Sequence, residues 1–525
     1  MNSLPVRLKH TSNVTAKSFD KIFSPKAWPI IGHGHLFIPK IGKYSADIFS
    51  DEIHRMMKEH GVPIIKLILN GQTMVFTISA EDTRTMYQNE GKHPLRNSME
   101  ALDMLRRKNG QSVGVIASNG VTWHKMRAGV NPLLKKPLVT AYYDKHKHIA
   151  QHHIRRIAEE MQKSKDQVVH DVTTQCMRFT LDAISVISPV LSVSNETERQ
   201  EALAQNMNLM DALYRTMGEP PIWGMIKTKA YRQLELCNNY FYNKISSNIK
   251  TMDVTREPFL KILFELETLS YQDKVITAMD IFLGGIDATA TTLAMTLHYL
   301  SLDRGLQDRI VSELTSPPPD NTRFIKACIR ETLRMSATAG GNARCMQNEV
   351  IISGYLVPKG TWVLSLNPVI GTLDSYFDFA HQYRPQRWLR QHRTGESTHK
   401  FSESTHNKPQ CDSGTNESTH NKPQSTSPTK ESTQNKSQCV FDIKESTQHT
   451  ESTPRQSAHP FASLPFGFGP RMCPGKLVAE QEMVLYLTEI LQTFILEPVD
   501  KEPLGMIFRT NRVPDRIINI KCVRR

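Results

Sequence analysis

Apolar positions recur three and four apart over 140–163, 197–215, 229–250, 272–302, 322–335 and 476–494, a rhythm that predicts amphipathic helices over much of the chain. Two segments break it. PIIKLILNGQTMVFTIS at 63–79 and VIISGYLVPKGTWVLSL at 350–366 are rich in β-branched residues. Their runs are interrupted by Asn70-Gly71 and by Pro358-Lys359-Gly360, so each predicts a hairpin. The fold class is therefore mainly α with small β-sheets. No stretch approaches the roughly 18–20 apolar residues of a membrane-spanning helix, so any membrane contact is expected to be peripheral.

One segment has neither rhythm. From Gln391 to Ser457 the chain repeats itself, with ESTHNKPQ at 403–410 and again at 417–424, KESTQNKSQ at 430–438 and KESTQHTEST at 444–453. Such polar repeats bury too little surface to offset the entropy of ordering, so 391–457 is predicted to be a disordered low-complexity insertion. It divides one catalytic body, 25–390 and 458–525, whose start is marked by Trp28-Pro29, Gly32 and Gly34.

The formal charge is +13, from 65 Lys and Arg against 52 Asp and Glu. The insertion carries eight of each sign, so the excess sits on the body and on the start of the chain. No helix-turn-helix or RNA-binding signature accompanies it, which argues against nucleic acid as the partner. Met1 to Phe19 contains no acid but carries Arg7, Lys9, His10 and Lys17 among Ser and Thr. That composition suits a mitochondrial transit segment over 1–24, and equally a basic tail. Eight cysteines are scattered without CxxC pairs, which favours a reducing compartment over a disulfide framework.

The sharpest chemical signal is Phe466-Gly-Phe-Gly469-Pro-Arg471-Met-Cys473-Pro-Gly475, directly before an amphipathic helix that begins near Lys476. Glycines let a loop backbone approach a flat ligand. A cysteine at a helix N-terminus near an arginine is expected to have its thiolate stabilised. No companion Cys or His stands at zinc-ligand spacing. A lone thiolate so placed suits axial ligation of heme iron, where it favours O–O cleavage.

These ten residues resemble the Phe-x-x-Gly-x-Arg-x-Cys-x-Gly heme loop of the cytochrome P450 family. Other stretches agree in order: Glu331-Thr-Leu-Arg334 resembles that family's Glu-x-x-Arg, and Pro385-Gln-Arg387-Trp388 its Pro-x-Arg-aromatic element. The resemblance implies a helical prism with a β-rich subdomain and heme b on Cys473. It makes Glu331, Arg334 and Arg387 a structural triad. Trp123-His-Lys-Met-Arg127 matches the family's Trp-x-x-x-Arg. With Arg344 and Arg471 these residues would hold the heme carboxylates, while Phe466 and Gly475 shape the loop. Gly284-Gly285-Ile286-Asp287-Ala288-Thr289 resembles the kinked distal helix whose acid and alcohol relay protons, which implies catalytic roles for Asp287 and Thr289. Ala288 departs from the pattern, because the family has a threonine there.

Lys326 and Arg330, four apart, together with Lys476, resemble the basic face on which mitochondrial members dock an acidic iron–sulfur ferredoxin, itself reduced by an NADPH-dependent reductase. Asn131-Pro132-Leu-Leu-Lys135 and Pro220-Pro-Ile-Trp223 also look mitochondrial. The resemblance thus implies a monooxygenase peripheral to the matrix side of the inner membrane. It would insert one atom of O2 into a small lipophilic, sterol-like substrate. The lining is expected from 92–120, 205–232, 336–343 and Leu504–Arg509. Two alternatives stand beside this reading: an isomerase or dehydratase acting on peroxides without a redox partner, and a non-catalytic heme carrier or sensor.

Overall fold

The structure is a computed structural model, and it describes residues 16–96, 99–191, 193, 195–316, 321–389 and 459–525. The insertion at 391–457 and the first fifteen residues of the transit-like start lie outside the described residues. The rest of that start does not. Lys17 bridges to Tyr355, and Ile22 is buried beside Ile64 and Val75, so the folded body begins before residue 25.

The helical rhythm of the sequence becomes helices Tyr143–Lys163, Glu196–Gly218, Lys229–Thr251, Arg323–Met335 and Lys476–Thr493. Local chemistry sets several of their starts: Asn195 accepts from the Glu198 amide, and Thr228 from that of Tyr231. The long 272–302 period divides into Tyr271–Gly284 and Asp287–Ser301. A Ser270/Asp273 capping box opens the first of these. At the break, a Cβ on Gly285 would sit 2.6 Å from Ile184 of helix Val172–Ile187, so glycine admits the neighbouring helix as well as loosening this one. Asp287–Ser301 is buried on nearly every face and forms the axis of the core.

The main sheet has the order Ile64–Leu69, Gln72–Thr77, Trp362–Ser365, Asn342–Cys345. Asn70 and Gly71, with φ of 50° and 74°, form the expected two-residue turn between its first strands. The second predicted hairpin is turned elsewhere. Ser353 and Gly354 supply the paired positive φ values, 47° and 80°, between Val350–Ile352 and Tyr355–Val357. Pro358-Lys359-Gly360 instead links that hairpin to Trp362–Ser365, which joins the main sheet parallel to Gln72–Thr77.

Candidate functional site

A cavity of about 1630 Å³ lies between the distal helix pair and the loop before Lys476–Thr493. Its lining includes Cys473, Phe466 and Gly475 from that loop, and Gly284, Gly285, Ala288 and Thr289 from the helix break. Trp123, Arg127, Arg344 and Arg471 line it as well, so the sequence-predicted cofactor residues share one space. Asp287 does not face it. Its carboxyl turns to helix Glu196–Gly218, where Asn206 Nδ2 donates to Oδ2 at 2.8 Å. Burial pushes the Asp287 carboxyl up to about 6 against the pull of that bond. Ala288 and Thr289 both reach the cavity, so the threonine displaced by one position still presents itself to the distal space.

Cys473 is anchored by its amide, which donates to Phe466 O at 2.9 Å, and its loop ends on Gly475, the residue capping the following helix. Burial raises the thiol, while the Gly475 amide and the charges of Arg127, Arg96 and Lys476 pull it down without overcoming burial. The stabilising arginine expected from the sequence, Arg471, is committed elsewhere. It donates to Pro94 O at 2.7 Å, Ser118 O at 2.9 Å and Asn119 Oδ1 at 2.8 Å, and stacks 4.2 Å from the Trp123 ring centroid. Arg127 instead acts on the thiol, and donates to the neighbouring Met472 O at 2.8 Å.

Arg471 Nη1 is buried without a partner. Burial, reinforced by Arg96 and Arg344, pulls the Arg471 guanidinium down to about 8. Burial also draws Arg96 down to about 10, with Arg344 adding to the effect. Four guanidiniums (Arg96, Arg127, Arg344 and Arg471) thus crowd one wall; of the carboxylates near them, Glu90 is bonded to Arg344, and Asp280, which acts on Arg96, is already paired with Arg106. So much enclosed positive charge calls for a further anion, and an orphaned donor aims at it. A flat macrocycle bearing two carboxylates satisfies both, so the residues fit heme. The sequence placed Arg96 in the pocket wall but not in this anion-binding set, because no motif marks it.

Outside the cavity lining, Glu331 accepts from Arg334 at 2.7 and 3.0 Å, from Arg387 at 3.0 Å, from Trp388 Nε1 at 2.8 Å and from the Arg384 amide at 2.9 Å. Arg334 also donates to the carbonyls of Gly371 and Ala380, both at 2.6 Å. Glu331 and Arg334 are both fully buried, and this bonding satisfies both charges. Lys326 and Arg330 project from the same helix into solvent. Lys476 is half-buried, with Nζ 5.8 Å from the Phe466 ring centroid.

The comparisons with known proteins meet this geometry. The family model described as Cytochrome P450 matches residues 23–404 and 444–519. The chain belongs to the cytochrome P450 family. Its members are heme-thiolate monooxygenases, so heme bound through a cysteine thiolate is the cofactor of this P450. The chain is 25% identical to the Drosophila melanogaster protein "Probable cytochrome P450 12d1 distal, mitochondrial", over 94% of this chain and 91% of that one. It is likewise 25% identical to "Cytochrome P450 CYP12A2" of Musca domestica, over 91% and 87%. The relatives with mitochondrial in their names agree with the branch that the sequence resembles. The fold is shared with a retinoic acid-bound cyanobacterial CYP120A1, at a TM-score of 0.69 and 15% identity, covering 97% of this chain and 100% of that one. Among the described residues no helix is long and apolar enough to cross a membrane.

Proposed function

We propose that this P450 is a mitochondrial-type monooxygenase that inserts one oxygen atom from O2 into a sterol-like substrate, with electrons from an acidic iron–sulfur ferredoxin. The observation that carries the reading is the meeting of Cys473, the Gly284–Thr289 turn and four arginines, Arg127 and Arg344 buried and Arg96 and Arg471 partly so, in one cavity. In this reading the Cys473 thiolate would hold the iron, and Arg96, Arg127, Arg344 and Arg471 would bind the two heme carboxylates, with the Trp123 ring holding the Arg471 plane in place. Held there, heme would supply the activation of O2, which takes up two electrons and two protons. Thr289 would order water on its side of the cavity, and Asp287, behind it, is an acid raised to about 6 that can take up and release a proton. Val115, Ile116, Leu333 and Phe508 exclude bulk water and receive an apolar ligand.

Two further features support the setting. Lys326 and Arg330 present adjacent cations on the helix that carries Glu331, a surface suited to an acidic electron donor. Exposed apolar residues flank the tip of the 64–77 hairpin. Ile30 and Ile31 lie on a turn tied to Ile68 through His33; Met217, in the last turn of helix Glu196–Gly218, accepts from Asn70 through its carbonyl, and Met225 and Ile226 follow that helix. Such a patch suits peripheral contact with the inner membrane.

Reconstitution tests the proposal. With a mitochondrial-type ferredoxin and its reductase, heme reduction under carbon monoxide should be fast and saturable, and cholesterol should shift the heme toward high spin. Reduction supported only by the microsomal flavoprotein reductase would overturn the donor assignment. A spectrum indifferent to sterols would overturn the substrate class.

A further inference from the structure

We propose that the buried ion pair Arg106–Asp280 is a positioning device for the substrate: it fixes segment 113–117 as a rigid cavity wall, so that Val115 and Ile116 orient the ligand above the thiolate. The inference rests on the cavity being the heme and substrate site.

Arg106 lies on helix Glu100–Lys108 and Asp280 on Tyr271–Gly284. They meet at 2.8 Å with side-chain exposures of 2% and 0%, and neither belongs to the family-like motifs described above. The connecting segment is threaded through them. Arg106 Nη1 donates to Val113 O at 2.8 Å, and Asp280 Oδ2 accepts from the Ile116 amide at 3.2 Å. Between those contacts Gly114 has φ of 81°, and a Cβ there would lie 2.3 Å from Asp280 Oδ2 and 2.5 Å from Arg106 Nη1. The peptide after Ile116 is held too, since the Ile116 carbonyl accepts from Arg96. Arg106 Nε reaches Asn238, which donates in turn to Gln111 at 3.0 Å.

The Val113 carbonyl and both backbone polar groups of Ile116 are thus held by charged side chains, and Val115 and Ile116 line the cavity. Charge-assisted bonds in a dry interior hold backbone far more rigidly than loop packing does. A buried ion pair is a poor device for stability, since apolar replacements of similar volume often do as well. What this pair achieves is placement. Because Arg96 also faces the cofactor space, the wall and the heme carboxylates share one guanidinium.

Two double variants of the full-length holoenzyme separate placement from stability. Arg106→Met/Asp280→Leu removes the acceptor for the Ile116 amide, whereas Arg106→Met/Asp280→Asn keeps an amide oxygen there. The probes are imidazole and phenylimidazole, read from the Soret shift. The leucine variant should bind phenylimidazole about tenfold more weakly and imidazole within about twofold of wild type, with the asparagine variant recovering most of the loss. In wild type the Ile116 amide should exchange hydrogen as slowly as the helix interiors. That measurement decides the matter if a variant yields no holoenzyme. Wild-type affinities in both variants, or rapid Ile116 exchange in wild type, would overturn the proposal. If wild type lacked the red-shifted carbon monoxide band, the heme reading itself would fall instead.

Discussion

Asn206 donates to Asp287 across the gap between two helices, and that bond turns the distal acid away from the cavity it was expected to face. The acid is buried, and its carboxyl is raised from 3.8 to about 6, so ionising it in the native state is penalised. The unfolded chain then binds fewer protons between those values, and stability falls as pH rises through that window. The whole penalty is at most about 3 kcal/mol. Asp287→Asn should therefore gain melting temperature relative to wild type between pH 4.5 and pH 8, with the difference largest at pH 8. A pH-independent difference would contradict the buried acid.

The Glu331 network predicts an asymmetry. Glu331→Ala strands the buried Arg334 charge and should cost about 3–5 kcal/mol, enough to abolish soluble holoprotein at 37 °C. Arg387→Ala leaves Glu331 its bonds to Arg334, Trp388 and the Arg384 amide, and its guanidinium is itself more exposed. Its yield of heme-loaded protein, read from the carbon monoxide difference spectrum, should fall by less. Equal losses would show that the network does not act as described.

Ala288 carries no donor, while Thr289 reaches the same cavity. Thr289→Ala should lower the share of NADPH electrons recovered in product, and Ala288→Thr should raise it. If Thr289→Ala has no effect while Ala288→Thr lowers recovery, distal proton delivery runs through neither position.

What could be read from the sequence follows from how local each signal is. The hairpin at Asn70-Gly71 and the heme-like loop at 466–475 are contiguous stretches whose chemistry sets their own geometry. The helix break is also contiguous, and Gly284-Gly285 announced it. Its second cause, the approach of Ile184, could not be seen, because that contact spans about a hundred residues of chain. The same holds for Asn206 against Asp287 and for Arg106 against Asp280, pairs that packing alone creates. The sequence points Arg96 only to the wall and not to the anion site, because an arginine in a loop has no periodicity to mark it. The 350–366 segment misled because Pro-Lys-Gly reads as a turn, whereas Ser353-Gly354 supplied the positive-φ pair.

Lys326 and Arg330 lie one helical turn apart in solvent, so the charge reversal Lys326→Glu/Arg330→Glu should raise the apparent KM for ferredoxin at least about tenfold, with salt narrowing the gap. The heme spectrum should not change. A variant reduced as fast as wild type, with the same salt dependence, would place the donor elsewhere.

The central claim is that Cys473 ligates the iron, and the carbon monoxide difference spectrum of Cys473→Ala tests it most directly. Wild type, and variants at each of the other cysteines, should show the strongly red-shifted Soret band of a thiolate-ligated heme. Cys473→Ala should lose that band altogether. Its persistence in Cys473→Ala would contradict the account.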